Sequence, residues 1–454
     1  MDDSQLVQNL ALWMLAVLVI AVVRWRRHAA TAGLILAYVF DLWLIHWLAP
    51  AFSLLPWYRN PDYRLMEAGV EQSLYGIAAF AFGSLFVGPF LINTGLLARG
   101  AERHEPDRRL PFAFVCAGAI FYGLLSTSLK SLPSATAIIS TGQQLLVVGV
   151  GLCCWQSWRE GNARNLALWI GAALAFPFIT IVTRGFIGYG AGATVCVLIF
   201  VSTFIRSRAR VVIAALLLCY LGLSVFVSYM RDRNQIRASV WGGQSLNNRL
   251  GTLADTMDTF EWFDPTNVDH LQRLDSRLNQ NILVGAAVER MTDQGGYAHG
   301  ETLWDALLAL IPRALWPSKP FEAGSGTVVT QYTGIQFATG TSVGIGQVME
   351  FYINFGTWGI VIGFALIGTL ITIIDVAAAQ SLAVGDLHGF VLWYLPGISL
   401  LQVGGSMIEV TVSAMASFMV ALMANKYLER LQRKHMMEAA VTGVGVWTEQ
   451  SAGV

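Results

Sequence analysis

Charge is what this chain has least of. Only 13% of its 454 residues are Asp, Glu, Lys or Arg, and lysine is nearly missing, with four against 25 arginines. A soluble globular domain carries about 25% charge, so a water-facing fold of this length is excluded. Cysteine is equally sparse. All five, Cys116, Cys153, Cys154, Cys196 and Cys219, fall inside apolar runs, which argues against both a disulfide framework and a thiolate metal site. A formal net charge of zero gives no sign of nucleic-acid binding. There is no Walker A loop, no HExxH, no GxSxG and no DxD-like pair in the one long polar stretch. Nucleotide hydrolysis, zinc chemistry and a nucleotide-sugar donor held through a divalent cation are therefore disfavoured. No metal and no cofactor is expected.

What fills the chain is apolar: 55% hydrophobic residues and a mean hydropathy of +0.55. Runs of the ~20 residues that a membrane helix needs recur between short charged clusters, continuous rather than alternating, so they predict helices and not barrel strands. Eleven spans are expected, near 6–23, 29–50, 74–97, 112–129, 135–155, 166–183, 188–205, 211–230, 357–379, 389–403 and 407–424. The expected class is thus an all-α polytopic membrane protein. It has a helix bundle over 1–230, an external helical loop over 231–342, further spans over 343–424 and a cytoplasmic tail over 425–454. Basic residues set the orientation. Sixteen of the 29 fall in short loops or the tail on one side, only Arg59, Arg64, Lys130 and Arg184 in short loops on the other, and nine in the long loop. The crowded side is expected to be cytoplasmic. That leaves the amino terminus and the long loop external, and the carboxyl terminus inside. The acidic start, Asp2 and Asp3, with basic residues only after the first apolar run, reads as a retained reverse anchor.

Within the long loop, Leu250, Leu253, Met257 and Phe260, and then Leu271, Leu274 and Leu278, recur at helical spacing around a turn at Asp264 and Pro265. They predict two amphipathic helices. The stretch Leu303 to Leu310 is apolar all round yet too short to span, and is expected at the membrane interface. The segment Ser53 to Gly69 reads as interfacial, anchored by Trp57, Tyr58 and Tyr63. Asp41 and His46 lie at membrane depth, either as a proton relay or as groups paired near a helix end.

Candidate chemistry gathers at the loop ends. Arginine suits bidentate recognition of phosphate, and those closest to the membrane are Arg184, Arg231 and Arg313, with Lys319 next. Arg184 stands among glycines in TRGFIGYGAG, an arrangement that fits either an anion site or a snorkelling helix end. Glu350, among aromatic and apolar neighbours in QVMEFYINFG, is the candidate general base. His299 and His270, the only histidines of the loop, are the alternatives.

The segments Pro312-Arg313, Trp316-Pro317 and Lys319-Pro320, followed by Glu350-Phe351-Tyr352-Ile353-Asn354-Phe355-Gly356, resemble those of the O-antigen or oligosaccharide repeat-unit polymerases of bacterial envelopes. The resemblance implies a multi-helix, GT-C-like glycosyltransferase in the bacterial cytoplasmic membrane. Such an enzyme transfers a growing glycan from undecaprenyl pyrophosphate to a second lipid-linked repeat unit on the external face. A chain-length regulator protein is implied as a partner, besides membrane lipid. Some members carry Arg followed eleven positions later by Gly in two external loops, which Arg231 with Gly242 and Arg313 with Gly324 match here. The alternatives are a ligase that moves glycan to another acceptor, and a flippase or transporter for the lipid-linked glycan.

Overall fold

The computed structural model describes residues 3–27, 30–96, 105–124, 133–205, 207–311, 316, 318, 325–337 and 343–450. Among these there are helices and no strand. Leaving aside the short helix Leu48–Phe52, in order they are α1 (Ser4–Arg26), α2 (Leu34–His46), α3 (Tyr63–Gly95), α4 (Leu110–Leu124), α5 (Ile138–Arg159), α6 (Ala163–Arg184), α7 (Gly188–Phe204) and α8 (Arg208–Trp241). Then come α9 (Leu246–Asp258), α10 (Val268–Leu278), α11 (Asn281–Gln294), α12 (Glu301–Leu308) and α13 (Gly326–Thr333). The chain closes with α14 (Gln347–Ala383), α15 (Leu387–Leu400) and α16 (Met407–Gln450). Seven of these helices, α1, α3, α5, α6, α8, α14 and α16 over Met407–Leu428, are long and apolar enough to cross a membrane. The other four expected stretches fall on the shorter apolar helices α2, α4, α7 and α15.

Three helices run well past the apolar stretches that predict them. α8 continues through the charged RDRNQIR segment to Trp241, because Arg, Asn and Gln extend a helix that is already nucleated, and Gly242 and Gly243 then end it. α3 begins at Tyr63 and α14 at Gln347, about ten residues ahead of the expected starts. Each projects toward the end of the bundle where α9 to α13 form a cap.

α14 is the central element and packs along α3 at small residues. A Cβ on Gly83 would lie 2.1 Å from the Ala365 carbonyl oxygen, and one on Gly368 2.5 Å from that of Phe80. Such contact of backbones is how helices associate in lipid. Tyr38 of α2 stacks on Phe80 at 4.7 Å. At the end of the bundle away from the cap, Asp375 of α14 is fully buried. It accepts from the backbone N–H groups of Ala32 and Leu34 at the start of α2 (2.9 Å each), from the Thr31 hydroxyl (2.7 Å) and from Arg24 (2.9 Å). A carboxylate at a helix N-terminus with a charged partner pins α1, α2 and α14 together.

The cap docks through polar hubs. Asp275 of α10 is buried and accepts from Tyr58 (2.5 Å), Asn60 and Asn279 (2.7 Å), while Trp57 Nε1 donates to the Pro265 carbonyl at 2.9 Å. Tyr58 and Tyr63, expected as interfacial anchors, are buried instead: Tyr58 because its segment folds onto α10, and Tyr63 against Leu6 and Leu10 of α1. α11, which the leucine spacing does not announce, lies against α3. A Cβ on Gly285 would be 1.8 Å from the Leu65 carbonyl oxygen, and one on Gly69 2.1 Å from that of Asn281.

Candidate functional site

The first turns of α14 carry Gln347, Glu350 and Asn354, spaced three and four apart and all buried, so one helix face is a polar stripe set inside protein. Gly346, at φ 72°, starts this helix. Gln347 is fixed on three sides: its N–H donates to the Val403 carbonyl (3.0 Å), its amide nitrogen to that of Gln402 (3.4 Å), and its amide oxygen accepts from Tyr38. The loop Val403–Ser406 between α15 and α16 is thereby laid beside the start of α14. Gly344 and Gly404 meet so closely that a Cβ on Gly344 would lie 2.2 Å from the Gly404 oxygen.

Glu350 is 2% exposed. Its Oε2 accepts from the backbone N–H of Met407 at 2.6 Å, at the N-terminus of α16, and the Thr302 hydroxyl reaches the same carboxyl group. Asn354 Nδ2 donates to the Glu350 carbonyl and to Thr302 Oγ1, both at 2.7 Å. Glu409 lies near and accepts from the Ser406 N–H at 3.1 Å. One turn beyond Glu350 the helix breaks at Phe355 and Gly356, the latter at φ 62° and ψ −153°, a conformation essentially confined to glycine. The 297–300 segment closes the break: the Ala298 N–H donates to the Ile353 carbonyl (2.8 Å) and that of Gly300 to Asn354 Oδ1 (2.9 Å). His299 sits in this segment at φ 47°, exposed and one residue from that bond.

Gln280 joins the floor from the cap side. Its N–H donates to the Ile45 carbonyl (3.1 Å) and its Nε2 to that of Gly404 (3.3 Å), while its Oε1 is buried with no hydrogen-bond partner. Asn281 Nδ2 donates to the His46 carbonyl at 3.0 Å, which makes its Oδ1 the acceptor for His46 Nδ1 at 2.9 Å. The Nε2 lone pair of His46 is then buried and unmet. Gln280 Oε1 thus lies unmet against Gly346 at the start of α14, and His46, whose Nδ1 is held by Asn281, leaves its Nε2 unmet in α2. Buried acceptors without partners are costly and are commonly satisfied by a ligand or water.

The arginines part company. All the N–H groups of Arg231 are engaged within the protein: with Asp232 (2.9 and 2.8 Å), Glu261 (2.9 Å), Thr259 Oγ1 (2.6 Å) and the carbonyls of Thr259 and Thr256. It braces the cap, and no donor is left over for an anion. Glu261 also accepts from Arg273 at 2.8 Å and from His270 Nε2 at 3.2 Å, while His270 Nδ1 accepts from the Asp264 N–H. His270 is therefore held as a structural group. Burial pushes the Glu261 carboxyl up, but the hydrogen bonds from Arg231 and Arg273 outweigh it and hold the group below its usual range. Arg184, at the cap end of α6, donates to Gln143 Oε1 and lies 5.3 Å from the ring centroids of both Tyr122 and Tyr189. It has no carboxylate partner among the described residues. Arg313 and Lys319, with Gly324, lie outside the described residues.

Of the nominated residues, the structure brings Glu350 and His299 to one helix break and sets Arg231 and His270 in the cap hub. Gln347, Asn354 and Gln280 were missed. The spacing of the first two around Glu350 was the available signal, whereas nothing local marks Gln280. A family model described as a domain of unknown function (DUF8712) matches residues 82–432. No curated protein and no solved structure matches the chain.

Proposed function

The chain belongs to the family described as a domain of unknown function (DUF8712), and from the site under its cap we propose that it polymerises undecaprenyl-pyrophosphate-linked oligosaccharide repeat units. In this reading the eleven apolar helices all cross the bacterial cytoplasmic membrane in a GT-C-like arrangement. The amino terminus and cap face the periplasm, and the carboxyl terminus faces the cytoplasm. The observation that carries the proposal is Glu350, a buried carboxyl group held at the cap end of a broken membrane helix, one turn after Gly346, against which the unmet acceptor of Gln280 lies.

The reaction asks little of the protein beyond position and charge. The acceptor hydroxyl attacks the anomeric carbon of the donor and its proton passes to Glu350. The bond from that carbon to the pyrophosphate oxygen breaks, and undecaprenyl pyrophosphate leaves with the electron pair. Gln280 Oε1 accepts from a sugar hydroxyl and orients it. Cations at the membrane surface neutralise the leaving group. Arg184 fits this role by its place and its lack of a carboxylate among the described residues, Arg313 and Lys319 are its proposed companions, and Arg231 is excluded by its engaged donors.

Single-turnover transfer by purified protein, measured alongside donor binding, tests the reading. Glu350→Gln keeps the side chain's size and is expected to slow transfer by about 100-fold or more with donor binding nearly intact. Arg313→Lys keeps the charge, loses the bidentate fork and is expected to slow transfer as well. Full turnover in Glu350→Gln removes it as the base. Glycan banding in a deletion strain identifies the step: one repeat unit per lipid anchor marks a lost polymerase, and no attached glycan a lost ligase.

A further inference from the structure

The face of α8 opposite Arg231 is a ladder. Tyr229, Arg233, Arg237 and Trp241 follow one another at four-residue steps. α10 packs on α8 through Leu271, Leu274 and Val227, which brings Arg277 within electrostatic reach of Arg233 and Arg237. Among the described residues none of the three takes part in an ion pair, although Arg231 and Arg273 on neighbouring faces are both paired. The Arg237 guanidinium lies over Phe186 (4.3 Å) and Trp241 (5.2 Å), and its Nε donates weakly to the Gly185 carbonyl (3.4 Å). The Tyr229 hydroxyl donates to the same carbonyl at 2.8 Å, and Trp241 Nε1 to that of Arg184 at 3.2 Å. Partial desolvation by the neighbouring protein lowers the pKa of Arg277 and the nearby Arg237 lowers it further, against the opposing effect of Tyr229.

Three cations held together without a carboxylate repel one another, and an anion is the group that relieves them. The depth of the cluster says which anion. Trp241 is held on the Arg184 carbonyl at the turn between the apolar helices α6 and α7, where it and Tyr189 are exposed (62% and 63%), and exposed aromatic rings at the ends of apolar helices mark the headgroup level of a membrane. The geometry points to a binding site for a lipid phosphate group, formed by Arg233, Arg237 and Arg277. A phosphodiester headgroup and a polyprenyl diphosphate share that chemistry. Arg277 is three residues before Gln280, so about 11 Å at most separates their Cα atoms. A diphosphate in this site is thus close to the floor that holds Glu350. The site stands on the arginine cluster alone and does not require the chain to be a glycosyltransferase.

The test uses the intact protein in neutral phosphatidylcholine nanodiscs, titrated with phosphatidylglycerol in one arm and a polyprenyl diphosphate in the other, with lipid retention read by native mass spectrometry. Wild-type protein is expected to retain at least one of the two anionic lipids over phosphatidylcholine. Each arginine replaced by Gln is expected to weaken that retention about fivefold. Arg277→Glu, on an exposed position, provides a variant whose folding is checked by its melting temperature in phosphatidylcholine alone. Preference for the diphosphate identifies a donor-type lipid, and equal preference a headgroup site. Retention that does not discriminate among the three lipids, or that is unchanged in Arg277→Glu and in Arg233→Gln/Arg237→Gln, overturns the proposal. Loss of transfer in Glu350→Gln with this retention intact bears only on the catalytic reading, so the two fail separately.

Discussion

At the scale of single residues, the same side chain plays opposite parts according to its partners. Arg231 and Arg233 are two positions apart on α8, yet one is saturated by Asp232, Glu261 and Thr259 while the other faces two more arginines. Two residues turn a helix by about 200°, which places them on different faces. Glu261 is the counter-ion that fixes the first arrangement, and its depressed pKa gives a signed pH dependence. A carboxyl group whose folded pKa lies below its unfolded value of about 4.3 adds stability that is complete above that value and is lost as pH falls through the folded pKa. Fluorescence of Trp262, next in the chain and stacked on Tyr220 at 5.9 Å, is expected to stay flat from neutral pH down to about 5 and to change below about 4. In Glu261→Gln that acid transition should disappear, and a wild-type profile in this variant would remove Glu261 as its source.

Among the elements, close approach of backbones decides how the cap sits on the bundle. α11 touches α3 through Gly285 and Gly69, and any Cβ at Gly285 collides with the Leu65 carbonyl oxygen, a backbone atom that cannot swing away. Gly285→Ala is therefore expected to cost about 1–3 kcal/mol by overpacking and to lower the thermal midpoint in detergent. Gly251→Ala on α9, where nothing lies within 4 Å of the added carbon, is expected to be neutral or slightly stabilising, since alanine is the better helix former. Equal effects of the two substitutions would mean that the α3–α11 contact carries no stability. The helix character of α14 was legible because its apolar run is long. Its break was not, since Gly356 alone is tolerated in many helices and becomes a break only where the 297–300 segment supplies donors to the freed Ile353 carbonyl and to Asn354 Oδ1.

For the whole molecule, the bias of 16 basic residues in short loops or the tail on one side against four in short loops on the other predicts opposite locations for the cap and the tail. A reporter fused near Gly295 is expected on the periplasmic side and one near Arg433 in the cytoplasm, and finding both on one side would refute an odd number of spans. The sequence by itself determined that the chain is helical, where its apolar stretches fall and that one long polar segment interrupts them. Continuous hydrophobicity is a local property, and lipid leaves helices as the form in which such runs satisfy their backbone. It also pointed to Glu350, because a carboxyl group inside an apolar segment is costly wherever it ends up. Only the tertiary structure decided what that group meets. The Met407 N–H lies 57 residues away in sequence, and the Thr302 hydroxyl comes from α12 of the cap. The same holds for the arginines: all look alike in the sequence, and which become bracing and which are left to face an anion depends on where the fold sets Glu261. A guanidinium is spent or free only through its neighbours, and those neighbours are fixed by packing between helices far apart in the chain.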